Sequence, residues 1–300
     1  MKKILIAGGS GLIGTRITEL LLQRGYVVSH LSRKAGRKKE VEIFEWDVDN
    51  FKVDEKAFEN VDTIINLAGA GIADHPWTAK RKQVIIDSRV NAAKTIYDFL
   101  KSHKHTVTTY LGASAIGYYG QTENQNLSED DFPMQKDFMS DCCRQWETAH
   151  QQFEHLNIRT VIARIGLVLS TRGGVLKELL RPFNFFIAAY FGDGSSKTSW
   201  IHIDDVCELL IYVLQNKTMT GTYNVVAPHP VTNKELIQAI LKTKSALMLL
   251  PVPRFLLQLI LGERHMMVFQ SLHVSSSKIQ HSGFKFRHEN IDDALKELLQ

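Results

Sequence analysis

Three cysteines in 300 residues are too few for a disulfide framework, and Cys142, Cys143 and Cys207 lack the spacing of a metal site. No metal is expected, and a reducing cytoplasm is the expected location. Charge of one sign is missing too. Against 36 basic residues stand 32 acidic ones, a net charge of +4 that argues against a nucleic-acid or anionic-membrane partner. The most apolar stretch, Ala246 to Leu261, is broken by Pro251, Pro253, Arg254 and Gln258, and it falls short of the ~20 apolar residues a membrane crossing requires. Its second half, Arg254 to Leu261, is apolar on nearly every face and is expected to be buried. No Pro-, Gly- or Ser-rich linker divides the chain, and with Met1 running straight into the first strand no signal peptide is expected. Hydrophobic residues make up 44% of the chain, enough for a sizeable core.

The opening carries the strongest signal. A short β-type run, Lys2 to Ala7, enters Gly8-Gly9-Ser10-Gly11-Leu12-Ile13-Gly14, which opens an amphipathic helix with Ile17, Leu20 and Leu21 at helical spacing. Gly9, Gly11 and Gly14 fit G-x-G-x-x-G, and Gly8, Gly11 and Gly14 fit G-x-x-G-x-x-G. Either spacing allows a tight turn, close approach to a pyrophosphate and phosphates at the positive helix end. Gly8, Ser10, Gly11, Leu12, Ile13 and Gly14 are the expected contacts. A second strand, Tyr26 to Leu31, ends in Ser32-Arg33 with no acid between Ser29 and Lys39. A basic residue there suits the 2′-phosphate of NADP(H), whereas NAD sites usually carry Asp or Glu.

Strand and helix then alternate. Val41 to Trp46 leads to Asp47, and Asp62 to Leu67 opens into Ala68-Gly69, so Asp47, Leu67, Ala68 and Gly69 are assigned to the cofactor edge. A long helical pattern covers Thr78 to His103. Val107 to Gly112 follows as a strand before Ala113-Ser114-Ala115, where Ser114 is placed for a catalytic hydroxyl. After an acidic loop expected to be exposed at Glu129, Asp130 and Asp131 come a helix from Phe138 to His155 and a strand from Ile158 to Ala163, followed by Arg164. The pattern predicts an α/β fold with a largely parallel sheet.

The opening glycines, Ser114 before Tyr118-Tyr119-Gly120, Arg164, Trp200 to Val206 and Gly221 to Val225 together resemble the extended short-chain dehydrogenase/reductase superfamily. Trp77 to Lys82, Asp87-Ser88-Arg89, Cys143 to Glu147, Leu261-Gly262-Glu263 and Gly283 to Phe286 resemble, more narrowly, its atypical "epimerase family protein" branch. The resemblance implies a Rossmann-like doubly wound parallel sheet with a smaller C-terminal α/β substrate lobe. It implies an NADP-binding domain over 1–170, taking in parts of 200–226, and a lobe over 171–300. Ser114 and Arg164 join the cofactor contacts.

The superfamily's Tyr-x-x-x-Lys acid/base pair is absent. Counting back from Glu147 puts Cys143 at the lysine position and Met139 at the tyrosine position, and no tyrosine lies between Phe138 and Phe153. Ser114, Tyr118 and Lys82 are the candidate substitutes. His202 and Asp204 are read as a structural cap rather than a relay, with Asp204 as the N-cap. The expected function is an NADP(H)-binding oxidoreductase or epimerase acting on a small polar molecule, a sugar-like one among the candidates, with a homodimer left open. The alternative is a non-catalytic NADP(H)-binding sensor or scaffold.

Overall fold

The computed structural model describes residues 2–120, 126–133 and 136–300. Seven strands form one parallel sheet: β1 (Lys3–Ala7), β2 (Val27–Ser32), β3 (Val41–Asp47), β4 (Val61–Asn66), β5 (Thr109–Ala115), β6 (Arg159–Ile165) and β7 (Gly221–Val225). Their order is β3-β2-β1-β4-β5-β6-β7, and the short strand Gly36–Lys38 pairs antiparallel with β3. The order reverses between β1 and β4. At such a switch point the loops diverge and leave a crevice at the carboxyl ends of the strands.

Alternation along β1 explains the two layers. Ile4 and Ile6 face one side, where they pack with Ile17 and Leu21 of α1 (Leu12–Gln23). Leu5 and Ala7 face the other, with Ala92, Ile96 and Leu100 of α2 (Ala79–Ser102). Thr78 caps α2 by accepting from the Arg81 N–H. On the second face α2 packs against α3 (Phe138–Gln151), which ends four residues before the predicted His155 and passes into a 3₁₀ turn, Gln152–Leu156. α4 (Val175–Leu180) follows the Gly173-Gly174 turn. On the first face α5 (Ile203–Gln215) lies beside α1 and leads into β7, so the sheet takes its last strand from late in the sequence.

The remaining C-terminal elements form a lobe around a separate core that includes Trp200, Leu236, Ile237, Ile240 and Leu295. It contains α6 (Asn233–Leu241), capped by Thr232 with Glu235 returning the bond, and small strand pairs such as Ile187–Phe191 with Met248–Val252. The expectation that Arg254 to Leu261 is buried fails. In α7 (Arg254–Leu261) only Leu257 is buried, while Phe255, Leu259 and Ile260 are 68%, 82% and 70% exposed. The helix sits on the rim of the lobe, and no described element packs over its outer side. Among the described residues, no helix is long and apolar enough to cross a membrane.

Candidate functional site

The turn between β1 and α1 rests on two glycines, Gly8 and Gly14, that leave no room for a side chain. A Cβ on Gly8 would lie 2.7 Å from the Leu67 carbonyl carbon, and one on Gly14 would lie 2.3 Å from the Gly8 oxygen. Gly8 also adopts a φ of +80°, and the Gly11 N–H closes the turn on the Gly8 oxygen at 3.0 Å. The first intrahelical bond of α1 runs from the Thr15 N–H to the Gly11 oxygen. The N–H groups of Leu12, Ile13 and Gly14 therefore precede the helical ladder and point from its positive end, with no acid in the first turn to occupy them. His30 of β2 lies beneath Gly9, bonded to Thr18 Oγ at 2.9 Å. Burial, with help from Lys38, lowers its pKa to about 4, so the ring under the turn is neutral.

Around this turn the other predicted cofactor contacts sit at strand ends on the same edge. Ser32 ends β2 and Arg33 follows it exposed. Leu67, Ala68 and Gly69 leave β4, where Ala68 is held by its N–H to Asn66 Oδ1 at 3.1 Å. Asp47 closes β3, but its carboxylate accepts from Asn50 Nδ2 and from the N–H groups of Asn50 and Asp49, so it shapes its own turn.

The second cluster lies on β5, β6 and β7, where Ser114, Arg164 and Asn224 stand in register. Ser114 and Arg164 both lie inside their strands rather than after them, each being the sixth residue of its strand. Glu147 of α3 joins the two. It accepts from Ser114 Oγ at 2.7 Å and bidentately from Arg164 Nε and Nη2 at 2.9 and 3.0 Å, with both charged side chains about 5% exposed. Arg164 Nη1 donates to the Tyr119 hydroxyl and to the Glu129 carbonyl. Four of its five N–H groups are thus engaged inside the protein, which makes Arg164 a brace rather than a cofactor ligand.

Glu129 is correspondingly not a free surface acid: its carboxylate accepts from the Asn224 N–H at 2.7 Å. Tyr119 is buried and donates to Asn224 Oδ1 at 2.7 Å. Burial pushes its pKa up to about 12, outweighing the nearby Arg164. Tyr118 instead stacks on the Arg164 guanidinium at 3.5 Å, half-buried, and its hydroxyl makes no hydrogen bond to a described residue.

Lys82 does not join this group. Its ammonium pairs with Glu263 at 2.7 Å and lies over the Phe138 ring. At the positions of the missing dyad, Met139 packs with Trp77, Ile85 and Phe138. Cys143 is buried, and burial pushes its thiol pKa up, with Cys142 and Glu147 adding to the effect. Neither can transfer a proton near neutral pH.

His202 is the N-cap of α5, accepting from the Asp204 N–H at 3.1 Å. Asp204, expected to be the cap, instead pairs with Arg16 at 2.7 and 2.9 Å. His202, His288 and Glu297 bring ligand-type atoms within 4.8 Å of one another. Because His202 Nδ1 accepts, its proton resides on Nε2, the buried nitrogen without a partner, and a protonated nitrogen is no metal ligand. His288, set between Asp205 at 3.3 Å and Glu297 at 3.0 Å, ties the C-terminal helix Ile291–Leu299 to α5.

A doubly wound parallel sheet with a glycine turn at its switch point defines the architecture of NAD(P)-binding proteins. The chain belongs to the NAD dependent epimerase/dehydratase family, whose model matches residues 4–226; a domain of unknown function (DUF1731) matches residues 252–298. It is 33% identical to the epimerase family protein YfhF of Bacillus subtilis over 99% of this chain and 97% of the relative. The structure of human epimerase family protein SDR39U1 (isoform 2) with NADPH superposes with a TM-score of 0.87 at 25% identity, covering 99% of each chain. UDP-glucuronic acid 4-epimerase from Bacillus cereus, in complex with UDP-glucuronic acid and NAD, shares the fold at a TM-score of 0.77 and 17% identity, covering 99% of this chain and 98% of that one.

The braced Glu147–Arg164 pair and its links to Tyr119, Glu129 and Asn224 escaped sequence reading. Glu147 served there only as a marker for counting, and nothing in linear spacing reveals that two strands and a helix meet on it, with Tyr119 and Glu129 carrying the links on to β7.

Proposed function

We propose that the protein is an NADP(H)-dependent oxidoreductase or epimerase acting on a small polar, sugar-like substrate. The observation that carries this reading is the turn itself. Gly8 and Gly14 have no room for a Cβ, and free N–H groups face the crevice at the switch point. These are features a pyrophosphate requires. Arg33, exposed at the end of β2 with no acid beside it, would take the 2′-phosphate. The related human protein was solved with NADPH.

When bound, the nicotinamide supplies hydride donation or acceptance. The chain's own part is to orient a substrate oxygen and move its proton. Ser114, buried on β5, gives its hydrogen to Glu147, so it would meet a substrate hydroxyl with lone pairs only. Arg164 holds the Tyr118 ring in place, and the Tyr118 hydroxyl, uncommitted within the described structure, serves as the proton donor or acceptor. Residues 1–170 with parts of 200–226 would form the cofactor domain and 171–300 the substrate lobe. All three cysteines are free and buried, which fits a cytoplasmic setting.

A second reading is a cofactor-binding sensor without chemistry. It is favoured by Met139 and the buried Cys143 at the dyad positions. Titration with NADPH and NADH, followed by single-turnover oxidation of bound NADPH against a panel of carbonyl compounds, separates the two. NADPH is expected to bind more tightly than NADH, with the preference lost in Arg33→Ala. Equal affinities unaffected by that substitution would remove the 2′-phosphate assignment, and NADPH that no carbonyl oxidises would favour the sensor.

A further inference from the structure

The loop that leaves β4 is underlain by arginine. Arg89 of α2 donates from Nη1 to the Ala70 oxygen at 3.0 Å and the Ile85 oxygen at 2.9 Å. Arg81, about two turns earlier, donates from Nη2 to the Gly71 oxygen at 2.6 Å. The two guanidinium groups therefore hang from consecutive carbonyls. Arg264 adds a third charge, donating to the Ala73 oxygen at 2.6 Å, and Lys82 a fourth.

Countercharge is scarce. Among the described residues no carboxylate lies within 4.0 Å of Arg89. Arg81 has only Asp74, at 3.9 Å and 64% exposed, and its Nε is buried without a hydrogen-bond partner. Glu263, which pairs with Lys82, is half exposed. Burial of Arg89 lowers its pKa, and the proximity of Arg81 adds to that. Two like charges held close, partly desolvated and without an acid between them are a costly arrangement that an oxyanion would relieve. The planar fork of arginine matches phosphate and carboxylate oxygens.

The position is as telling as the charge. The Arg89 guanidinium carbon lies 3.0 Å from where a Gly69 Cβ would be, directly under the ligand edge. On its other side Arg89 stacks over Trp146 at 5.0 Å, on the α3 face that carries Cys143. Phe138 and Met139 of α3, with Trp77 and Ile85, form the neighbouring apolar wall.

We propose that Arg81 and Arg89 form an oxyanion site in the cleft, which binds a phosphate or carboxylate group of the substrate. This deepens the functional reading above and rests on it only in placing a cofactor beside the site. The cofactor's own charges have other partners: the start of α1 for the pyrophosphate and Arg33 for the 2′-phosphate.

The test titrates the NADPH-saturated full chain with inorganic phosphate and with malonate, by calorimetry. Saturable binding is expected in the wild type, weaker by about ten-fold in both Arg81→Met and Arg89→Met and partly retained in Arg89→Lys. Arg24→Met, which removes an exposed charge paired with Glu208, is expected to leave binding unchanged. Melting temperatures accompany each variant, and if Arg89→Met fails to fold, Arg81→Met and Arg89→Lys decide. Absence of saturable anion binding in the wild type overturns the proposal, as does unchanged anion affinity in the arginine variants. So does a ten-fold loss of NADPH affinity in Arg89→Met with anion binding intact, which would assign the arginines to the cofactor. The wild type's NADPH titration judges the cofactor reading separately: a chain that took no NADPH yet bound phosphate through Arg81 and Arg89 would fail that reading and keep this one.

Discussion

Ser114 and Arg164 face each other in register on neighbouring strands and share one carboxylate, that of Glu147, which reaches them from α3. The pairing fixes helix to sheet under the cleft. It also decides which groups are left for chemistry, since Ser114 loses its donor and Arg164 most of its donors to the brace.

Breaking that brace from one side leaves a buried charge uncompensated. Glu147→Gln is expected to cost about 3–5 kcal/mol in urea unfolding, because Arg164 keeps its charge in a site about 5% exposed. The double variant Glu147→Leu/Arg164→Met removes both charges and should lose less than the sum of the single variants. Strictly additive losses would show that the pair is not coupled.

The glycine turn makes graded demands. Gly14→Ala would put a methyl 2.3 Å from the Gly8 oxygen, so the turn must move, whereas at Gly11 the same oxygen is 3.3 Å away. NADPH affinity is expected to fall by at least about ten-fold in Gly14→Ala and far less in Gly11→Ala. Gly25→Ala meets nothing within 4 Å but has a φ of +77°, so it should cost about 1–2 kcal/mol of stability and leave affinity unchanged. Fluorescence titration beside thermal melts reads both quantities.

Much of the fold was legible because it is written in local patterns. The strand entering Gly8, the helix opened by Leu12, and the long helical pattern that became α2 each follow from neighbouring residues. What was not legible depends on distant ones. Arg164 was read as a cofactor contact and Lys82 as a candidate catalytic group, yet Glu147 claims the first and Glu263 the second. Spacing along the chain does not record which acid a cation will meet. The same holds for α7: its all-round apolar sequence implies burial, but burial requires a covering layer, and the lobe places the helix at its rim. The cap of α5 was displaced by two residues because Arg16, far away in sequence, draws off the Asp204 carboxylate.

A relay of hydrogen bonds beneath the sheet predicts a pH dependence. Asn66 donates to the Tyr110 hydroxyl, Tyr110 to His150 Nδ1, and His150 Nε2 to the Ala113 oxygen. Every donor is matched only when His150 is neutral, and burial holds its pKa down at about 4. The unfolded chain, with an ordinary value near 6.5, binds the proton first. Stability is therefore full above pH ~6.5 and falls as pH drops toward ~4, by about 3 kcal/mol from this residue. Urea unfolding at pH 7.5, 5.5 and 4.5 measures the slope, which should lessen in His150→Gln; an unchanged slope would assign the dependence to other groups.

The rim helix offers a contrast between neighbours. Leu257→Ala removes a side chain 8% exposed and should cost about 2–4 kcal/mol. Leu259→Ala, at a site 82% exposed, should stay within about 0.5 kcal/mol. A large loss at Leu259 would mean that this face is covered in solution, and sedimentation of the two variants would show whether a second copy covers it.

Tyr118 and Tyr119 are adjacent in sequence and opposite in role. Tyr119→Phe deletes a hydroxyl that donates to Asn224 and accepts from Arg164, leaving buried groups unmatched, and is expected to cost about 1–3 kcal/mol of stability. Tyr118→Phe keeps the ring on Arg164 and loses only a hydroxyl with no described partner, so stability should change by less than about 0.5 kcal/mol. If Tyr118 moves the substrate proton, its loss should slow single-turnover oxidation of NADPH by about 10²-fold or more while NADPH affinity holds. Tyr119→Phe should slow it only as far as the fold loosens. The reverse pattern, a silent Tyr118→Phe beside a stable but inactive Tyr119→Phe, would transfer the acid/base role to the buried hydroxyl.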